Sequence, residues 1–189
     1  AYLGPRGYLL CYLYIVCCIR EQVDMLPGQK GAEMVELIDI TPDNWRPGLK
    51  VAEDQRRYVS DSAGIFARAY AFREYRSRAF LIYAPDIGAT VGIGLYYDCP
   101  ELDCYDLSQL FIDERYQGCG YGKAAVRVIL DVLKADGKYD RVSLCYVDGN
   151  TAAVRLYEGF GFAETMREDD EIVMELSLSE YTKAHGHRD

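Results

Sequence analysis

The stretch QGCGYGK, residues 117–123, stands between an apolar run and an amphipathic run and decides how the second half of the chain folds. The run before it, residues 107–112 (LSQLFI), has the composition of a strand. The run after it places apolar residues at helical spacing up to about Asp136, and Gly137 is well placed to end that helix. The glycines therefore form a turn that leads from a strand into a helix.

Three kinds of ligand-binding loop place glycines between a strand and a helix, and the spacing here excludes two of them. A Walker A loop needs a glycine where this chain has Gln117, and Ser or Thr where it has Ala124. A dinucleotide-binding loop needs G-x-G-x-x-G, whereas the glycines here are Gly118, Gly120 and Gly122. The third pattern is Q-x-x-G-x-G, whose exposed amides at the helix start suit a pyrophosphate. A tight turn without a ligand is the alternative.

A second motif follows at residues 150–162, which read NTAAVRLYEGFGF. Asn150 or Thr151 is a suitable cap for a short helix that ends at Gly159. Periodicity alone makes Tyr157 a core residue of that helix. The two motifs together, in this order, resemble the GNAT superfamily of acetyl-CoA-dependent N-acetyltransferases.

The resemblance implies an α/β (α+β) fold. We expect a mixed, mostly antiparallel central sheet of about seven strands, flanked by four helices, with a V-shaped splay between strands four and five. The elements inferred from the sequence follow the order βααβββαβαββ, which also predicts a mixed sheet with helices on both faces. Its first two helices are expected at residues 45–58 and 63–75, the second capped by Asp61 or Ser62.

The resemblance also implies roles for residues of both motifs. Pantetheine would lie in the gap of the splay, the loop amides would hold the pyrophosphate, and Tyr157 would protonate the departing thiolate. Asn150 would bond the pantetheine arm. No metal is expected. The residues expected to bind acetyl-CoA are Leu110, Phe111, Ile112, Gln117, Gly118, Cys119, Gly120, Tyr121, Gly122, Lys123 and Asn150.

Acetyl transfer needs a neutral amine, and a base must supply it. A primary amine has a pKa near 10.4, so only about one molecule in a thousand is free at pH 7. A carboxylate usually removes the proton, often through a water. The resemblance implies that the acidic residue lies on the fourth strand, where this chain has Ser108 at the position that suits a base. Asp106 is therefore the candidate base, with a solvated carboxylate at a strand end as the alternative.

The acceptor is expected to be a small-molecule amine. Two stretches, residues 110–125 (LFIDERYQGCGYGKAA) and residues 51–70 (VAEDQRRYVSDSAGIFARAY), resemble bacterial spermine/spermidine (diamine) acetyltransferases more than other members of the superfamily. Acidic residues cluster at Glu53 and Asp54, in residues 98–106 and in residues 168–171, which favours a polyamine bound through Glu53 and Asp54. The alternatives are another acceptor (an aminoglycoside, an amino acid or a protein N-terminus) or a non-catalytic acyl-CoA-binding module.

Composition limits the other partners. The net charge of -9 argues against nucleic acid or an anionic membrane surface. The seven cysteines are odd in number and lack zinc-site spacing, so we expect reduced thiols in a cytoplasmic protein. A homodimer is an expectation from the superfamily.

The domain organisation is expected to be simple. Residues 34–178 form a single acetyltransferase domain, and residues 179–189 a polar tail. Residues 1–33 are an extension, with Met34 as the hypothetical natural start. The apolar run at residues 7–19 is shorter than the roughly 20 residues that span a bilayer, although a membrane anchor is the alternative.

Overall fold

The computed structural model describes residues 35–185, so the expected extension and the start at Met34 lie outside the described part. Seven strands and four α-helices make up this part of the chain. Their bounds are β1 Glu36–Asp39, α1 Ser62–Ala71, β2 Arg78–Ala84, β3 Ala89–Cys99, β4 Cys104–Ile112, α2 Tyr121–Asp136, β5 Arg141–Val147, α3 Thr151–Glu158, β6 Ala163–Glu168, β7 Glu171–Ser177 and α4 Leu178–His185.

The strands form one sheet in the order β1-β2-β3-β4-β5-β7-β6. All neighbours are antiparallel except β4 and β5, which run parallel and pair only at Tyr105 with Val142 and at Asp106 with Ser143. Beyond these two pairs the strands separate, and the rest of β4 pairs with β3 alone. The predicted mixed, mostly antiparallel sheet with a splay between strands four and five is confirmed.

A bulge in β4 lies next to the point where the splay begins. Leu95 of β3 faces Gln109 of β4, but Tyr97 faces Asp106, so two residues of β4 stand opposite one of β3. A bulge bends its strand and increases the local twist. The bulge therefore accounts for the way in which β4 turns away from β5.

Helices cover both faces of the sheet, as predicted. The larger core lies under α2 and includes Ile129 of that helix, Tyr157 of α3 and Tyr181 of α4. A smaller core on the other face joins Ile65 of α1 to the central strands. Among residues 35–185, no helix combines the length and the apolar character needed to cross a membrane.

The helix predicted at residues 45–58 is absent from the structure, and that prediction was wrong. This stretch is irregular apart from a short 3-10 turn, Glu53–Gln55, and the turn at residues 56–58 that follows it. Pro47 and Gly48 account for the difference. Proline disfavours a helical conformation in the residue before it and donates no hydrogen bond, and Gly48 has a φ of +66°.

The other helices follow their predicted signals more closely. Asp61 caps α1, its side chain accepting a hydrogen bond from the amide of Gly64 at 2.8 Å. Gly137 ends α2 with a φ of +67°. The expected polar tail from Ser179 instead begins as α4, because Leu178 and Tyr181 lie one turn apart and are both buried in the larger core.

Candidate active site

The splay opens a cleft of about 330 Å³ between the free edge of β4, the start of α2 and the start of α3. Tyr157 lines this cleft with most of the residues predicted to bind acetyl-CoA. The structure thus brings the two sequence motifs together. The predicted residues that line it are Leu110, Phe111, Ile112, Gln117, Gly118, Gly120, Gly122, Lys123 and Asn150.

The N-terminus of α2 faces this cleft without a side-chain cap. Gly118 and Gly120 adopt left-handed φ angles of +75° and +90°, which a residue with a Cβ rarely takes. The first amides of any α-helix have no partner within the helix. Because no side chain caps this 16-residue helix either, those amides are free to bind a ligand. Together with the helix dipole and Lys123, they suit a diphosphate.

Gln117 is held in place by hydrogen bonds that the sequence did not reveal. Its Nε2 donates to the carbonyl of Ile112 at 2.9 Å and to Oε1 of Gln55 at 2.8 Å. Gln55 in turn donates to Oε1 of Gln117 at 3.3 Å, and Gln55 also lines the cleft. The glutamine of the motif therefore fastens the loop to the end of β4 and to the 3-10 turn.

Two residues predicted to bind acetyl-CoA do not line the cleft. The buried Tyr121 directs its hydroxyl to Asp86 at 3.1 Å, so its backbone amide is the part of the residue that belongs to the helix start. The thiol of Cys119 contacts the carbonyl of Gln117 at 3.6 Å. These two side chains shape the loop from outside the cleft.

Alternation along β4 decides which amides face the open edge. The carbonyl of Ile112 accepts its bond from Gln117 on the cleft side, whereas the amide of Asp113 bonds to Val91 of β3 at 2.9 Å. Backbone groups of successive strand residues point to opposite edges. Leu110 therefore presents its amide to the cleft, and Phe111 presents its own to β3.

The start of α3 carries the residues of the second motif. Asn150 caps the helix, its Oδ1 accepting a hydrogen bond from the amide of Ala153 at 3.2 Å. Tyr157 is buried against Phe162, and no group among residues 35–185 hydrogen-bonds its hydroxyl. Burial alone raises the pKa of Tyr157 above its ordinary value, which keeps the hydroxyl protonated.

Asp106 lies at the base of the splay and outside the cleft lining. Burial raises the pKa of Asp106 to about 6, and the charge of Arg68 and a hydrogen bond from Tyr97 oppose this rise. Arg68 also donates to the hydroxyl of Ser108 at 2.8 Å. The raised pKa of Asp106 lies near neutral pH, as a general base requires. The residue lies outside the cleft that Tyr157 lines.

Glu53 and Asp54, the residues predicted to bind the acceptor, both point into solvent. Glu53 pairs with Arg56 at 2.8 Å, and neither acid lines the cleft. A second cavity, of about 800 Å³, adjoins the cleft through Tyr58 and Val59. The charged residues that line this second cavity are Lys50, Arg56, Arg57 and Asp61.

Comparison with known proteins places this geometry in a family. The model of the acetyltransferase (GNAT) family matches residues 36–162. The chain belongs to the GNAT family. This GNAT chain is also 32% identical over 120 residues to the spermine/spermidine N(1)-acetyltransferase of Bacillus subtilis (strain 168), covering 60% of the chain and 76% of that protein. It is therefore an acetyl-CoA-dependent N-acetyltransferase.

Solved structures share the fold of this GNAT domain at low sequence identity. The spermidine N-acetyltransferase from Vibrio cholerae, in complex with CoA and spermine, aligns with a TM-score of 0.64 at 17% identity over 79% of this chain and 99% of that one. The ribosomal-protein-S18-alanine N-acetyltransferase from Escherichia coli aligns with a TM-score of 0.58 at 21% identity, over 77% and 94%. Their names specify different acceptors, so the fold does not choose between them.

Proposed function

We propose that this acetyltransferase transfers the acetyl group of acetyl-CoA to a primary amine of a polyamine such as spermidine or spermine. The observation that carries the proposal is the 32% identity to a spermine/spermidine acetyltransferase over 120 residues. The net charge of -9 supports it, because a negative protein attracts a polycation over distance. The spermidine acetyltransferase of known structure holds CoA and spermine in a similar fold.

In the proposed reaction, the amides at the start of α2 and Lys123 hold the diphosphate, and the open edge of β4 binds the pantetheine arm. The amide of Leu110 stabilises the negative charge that develops on the carbonyl oxygen. Asp106 takes a proton from the acceptor ammonium, through a water because it lies outside the cleft lining. The neutral amine attacks the thioester carbon, and Tyr157 donates its proton to the departing sulfur.

A carboxylate-bearing amine is the second candidate acceptor, and one observation favours it. The cavity beside the cleft is lined by three basic residues, Lys50, Arg56 and Arg57, and by one acid, Asp61. Asp61 is already engaged as the cap of α1. Such a lining suits an amino acid or a peptide better than a polycation.

Release of free thiol from acetyl-CoA, measured with the purified protein and a panel of amines, tests both candidates. The panel contains spermidine, spermine, putrescine, free amino acids, an aminoglycoside and a peptide with a free N-terminus. Turnover that is fastest with spermidine or spermine supports the first proposal. Turnover confined to amino acids or peptides contradicts it and supports the second.

A further inference from the structure

Two cysteines close the hairpin between β3 and β4. Cys99 and Cys104 stand directly opposite each other in the antiparallel ladder. Residues that face each other in this way have Cα atoms about 4.5–5.5 Å apart, inside the range of about 4.4–6.8 Å that a disulfide needs. Side chains of directly opposed residues lie on the same face of the sheet, so the two thiols share one face. The backbone therefore already has the spacing of a disulfide.

The hairpin around this pair is firmly held. The amide of Leu102 bonds to the carbonyl of Cys99 at 3.2 Å, and Arg141 of β5 donates to the carbonyl of Leu102. Cys104 is buried, whereas Cys99 is partly exposed and so accessible to a small reagent. The other two cysteines of the described part lie elsewhere, Cys119 in the glycine loop and Cys145 on β5.

We propose that Cys99 and Cys104 are a site of reversible oxidation, which a low-molecular-weight disulfide such as glutathione disulfide closes to an intramolecular bond. The thiolate of Cys99 attacks the reagent and releases one glutathione. The thiolate of Cys104 then attacks the sulfur of Cys99 in the mixed disulfide and releases the second. Two protein thiols are oxidised, one glutathione disulfide is reduced to two thiols, and those thiols take up the two protons.

The surroundings of Cys104 set the order of these steps. Burial raises the pKa of Cys104 to about 12, reinforced by Cys99 and Asp106 and opposed by Arg141. Little Cys104 thiolate is present at neutral pH, so Cys99 reacts first and closure is the slow step. A mixed disulfide on Cys99 is therefore expected to appear early and to decay as the bond forms.

Mass spectrometry of the full-length protein tests the site. The protein is incubated with glutathione disulfide, the remaining thiols are alkylated, and the chain is cleaved after Glu101, which lies between the two cysteines. The expected product joins the peptide containing Cys99 to the peptide containing Cys104, and dithiothreitol separates them. Glutathione that stays on Cys99, or a link from Cys99 to any other cysteine, would overturn the proposal.

Variants and a melting curve sharpen the test. Cys104→Ser is expected to stop at the mixed disulfide on Cys99, whereas Cys145→Ser, the control, is expected to form the link as the natural chain does. Closing the hairpin should raise the melting temperature by roughly 5 °C and leave the KM for acetyl-CoA unchanged, because neither cysteine lines the cleft. An unchanged or lower melting temperature in the cross-linked protein would contradict a disulfide that fits the native backbone.

Discussion

At the scale of single residues, Tyr157 offers the sharpest test of the chemistry. Its hydroxyl is the one group that distinguishes it from phenylalanine, and it makes no hydrogen bond within residues 35–185. Tyr157→Phe should therefore lower kcat by about a hundredfold or more, as the loss of a general acid does, with little change in melting temperature. Steady-state thiol release and a melting curve give both values.

A matched variant separates this role from a general effect of losing a hydroxyl. Tyr139 lies outside the cleft, packed edge-on against Tyr105. Tyr139→Phe is expected to keep kcat within about twofold of the natural chain, because a substitution away from the cleft that removes only a hydroxyl has a small effect on stability and touches no reacting group. A Tyr157→Phe enzyme as active as Tyr139→Phe would remove Tyr157 from the mechanism.

Asp106 should leave its mark on the pH profile. With a pKa of about 6, a base at this position is protonated below pH 6, so kcat/KM should fall as the pH drops from about 7 to 5. Asp106→Asn should lower kcat/KM and abolish this acidic limb. An Asp106→Asn enzyme that retains the limb would assign the titration to another group.

The same carboxyl group should cost stability at neutral pH. Its pKa is higher in the folded chain than the ordinary value of 3.8, so the folded state binds more protons and stability falls as the pH rises from about 4 to 6. Asp106→Asn avoids this cost, which is on the order of 3 kcal/mol above pH 6. Denaturant unfolding should show the variant to be the more stable at pH 8 and the two equal near pH 3.

At the scale of elements, the Gln55–Gln117 pair joins the 3-10 turn to the glycine loop across one end of the cleft. Gln55→Ala removes one neutral hydrogen-bonded partner, so we expect the KM for acetyl-CoA to rise about fivefold while kcat changes little. Gln117→Ala should raise it further, because the bond to Ile112 is lost as well.

Non-additivity then reports whether the pair acts as a unit. The double variant should resemble Gln117→Ala alone, since the bond between the two amides can be lost only once. Strictly additive effects on KM would mean that Gln55 and Gln117 act separately. Isothermal titration calorimetry of acetyl-CoA with each protein, in the absence of an acceptor amine, measures the corresponding changes in Kd without turnover.

The elements also show where sequence reasoning succeeds and where it does not. The caps at Asp61 and Asn150 and the stop at Gly137 were predicted because their signals are local. The false helix at residues 45–58 came from giving apolar spacing more weight than Pro47 and Gly48. Contacts such as that of Gln55 with Gln117 join residues far apart in the chain, so no local pattern could predict them.

At the scale of the whole molecule, the mixed, mostly antiparallel sheet and the splay were predicted through the resemblance that the two motifs carry, and the structure confirms both. The residues that line the acceptor side of the site could not be predicted from the sequence. Glu53 and Asp54 look like an acidic patch in the sequence, but the first is paired with Arg56 and both face solvent. Charge in a sequence gives the sign of the long-range field and not the lining of a cavity.

The net charge of the protein and the charges that line the second cavity have opposite signs, so they predict different effects of salt on the two candidate acceptors. The net charge of -9 attracts a polyamine from a distance, so kcat/KM for spermidine should fall as ionic strength rises from about 10 to 150 mM and the screening length shortens from about 30 to 8 Å. A carboxylate acceptor that binds Lys50, Arg56 and Arg57 would meet repulsion from the whole protein and attraction only at short range. Its kcat/KM should therefore hold or rise over the same interval, with n-butylamine as the singly charged reference amine. A value for spermidine that does not change with salt would show that the overall charge plays no part in choosing the acceptor.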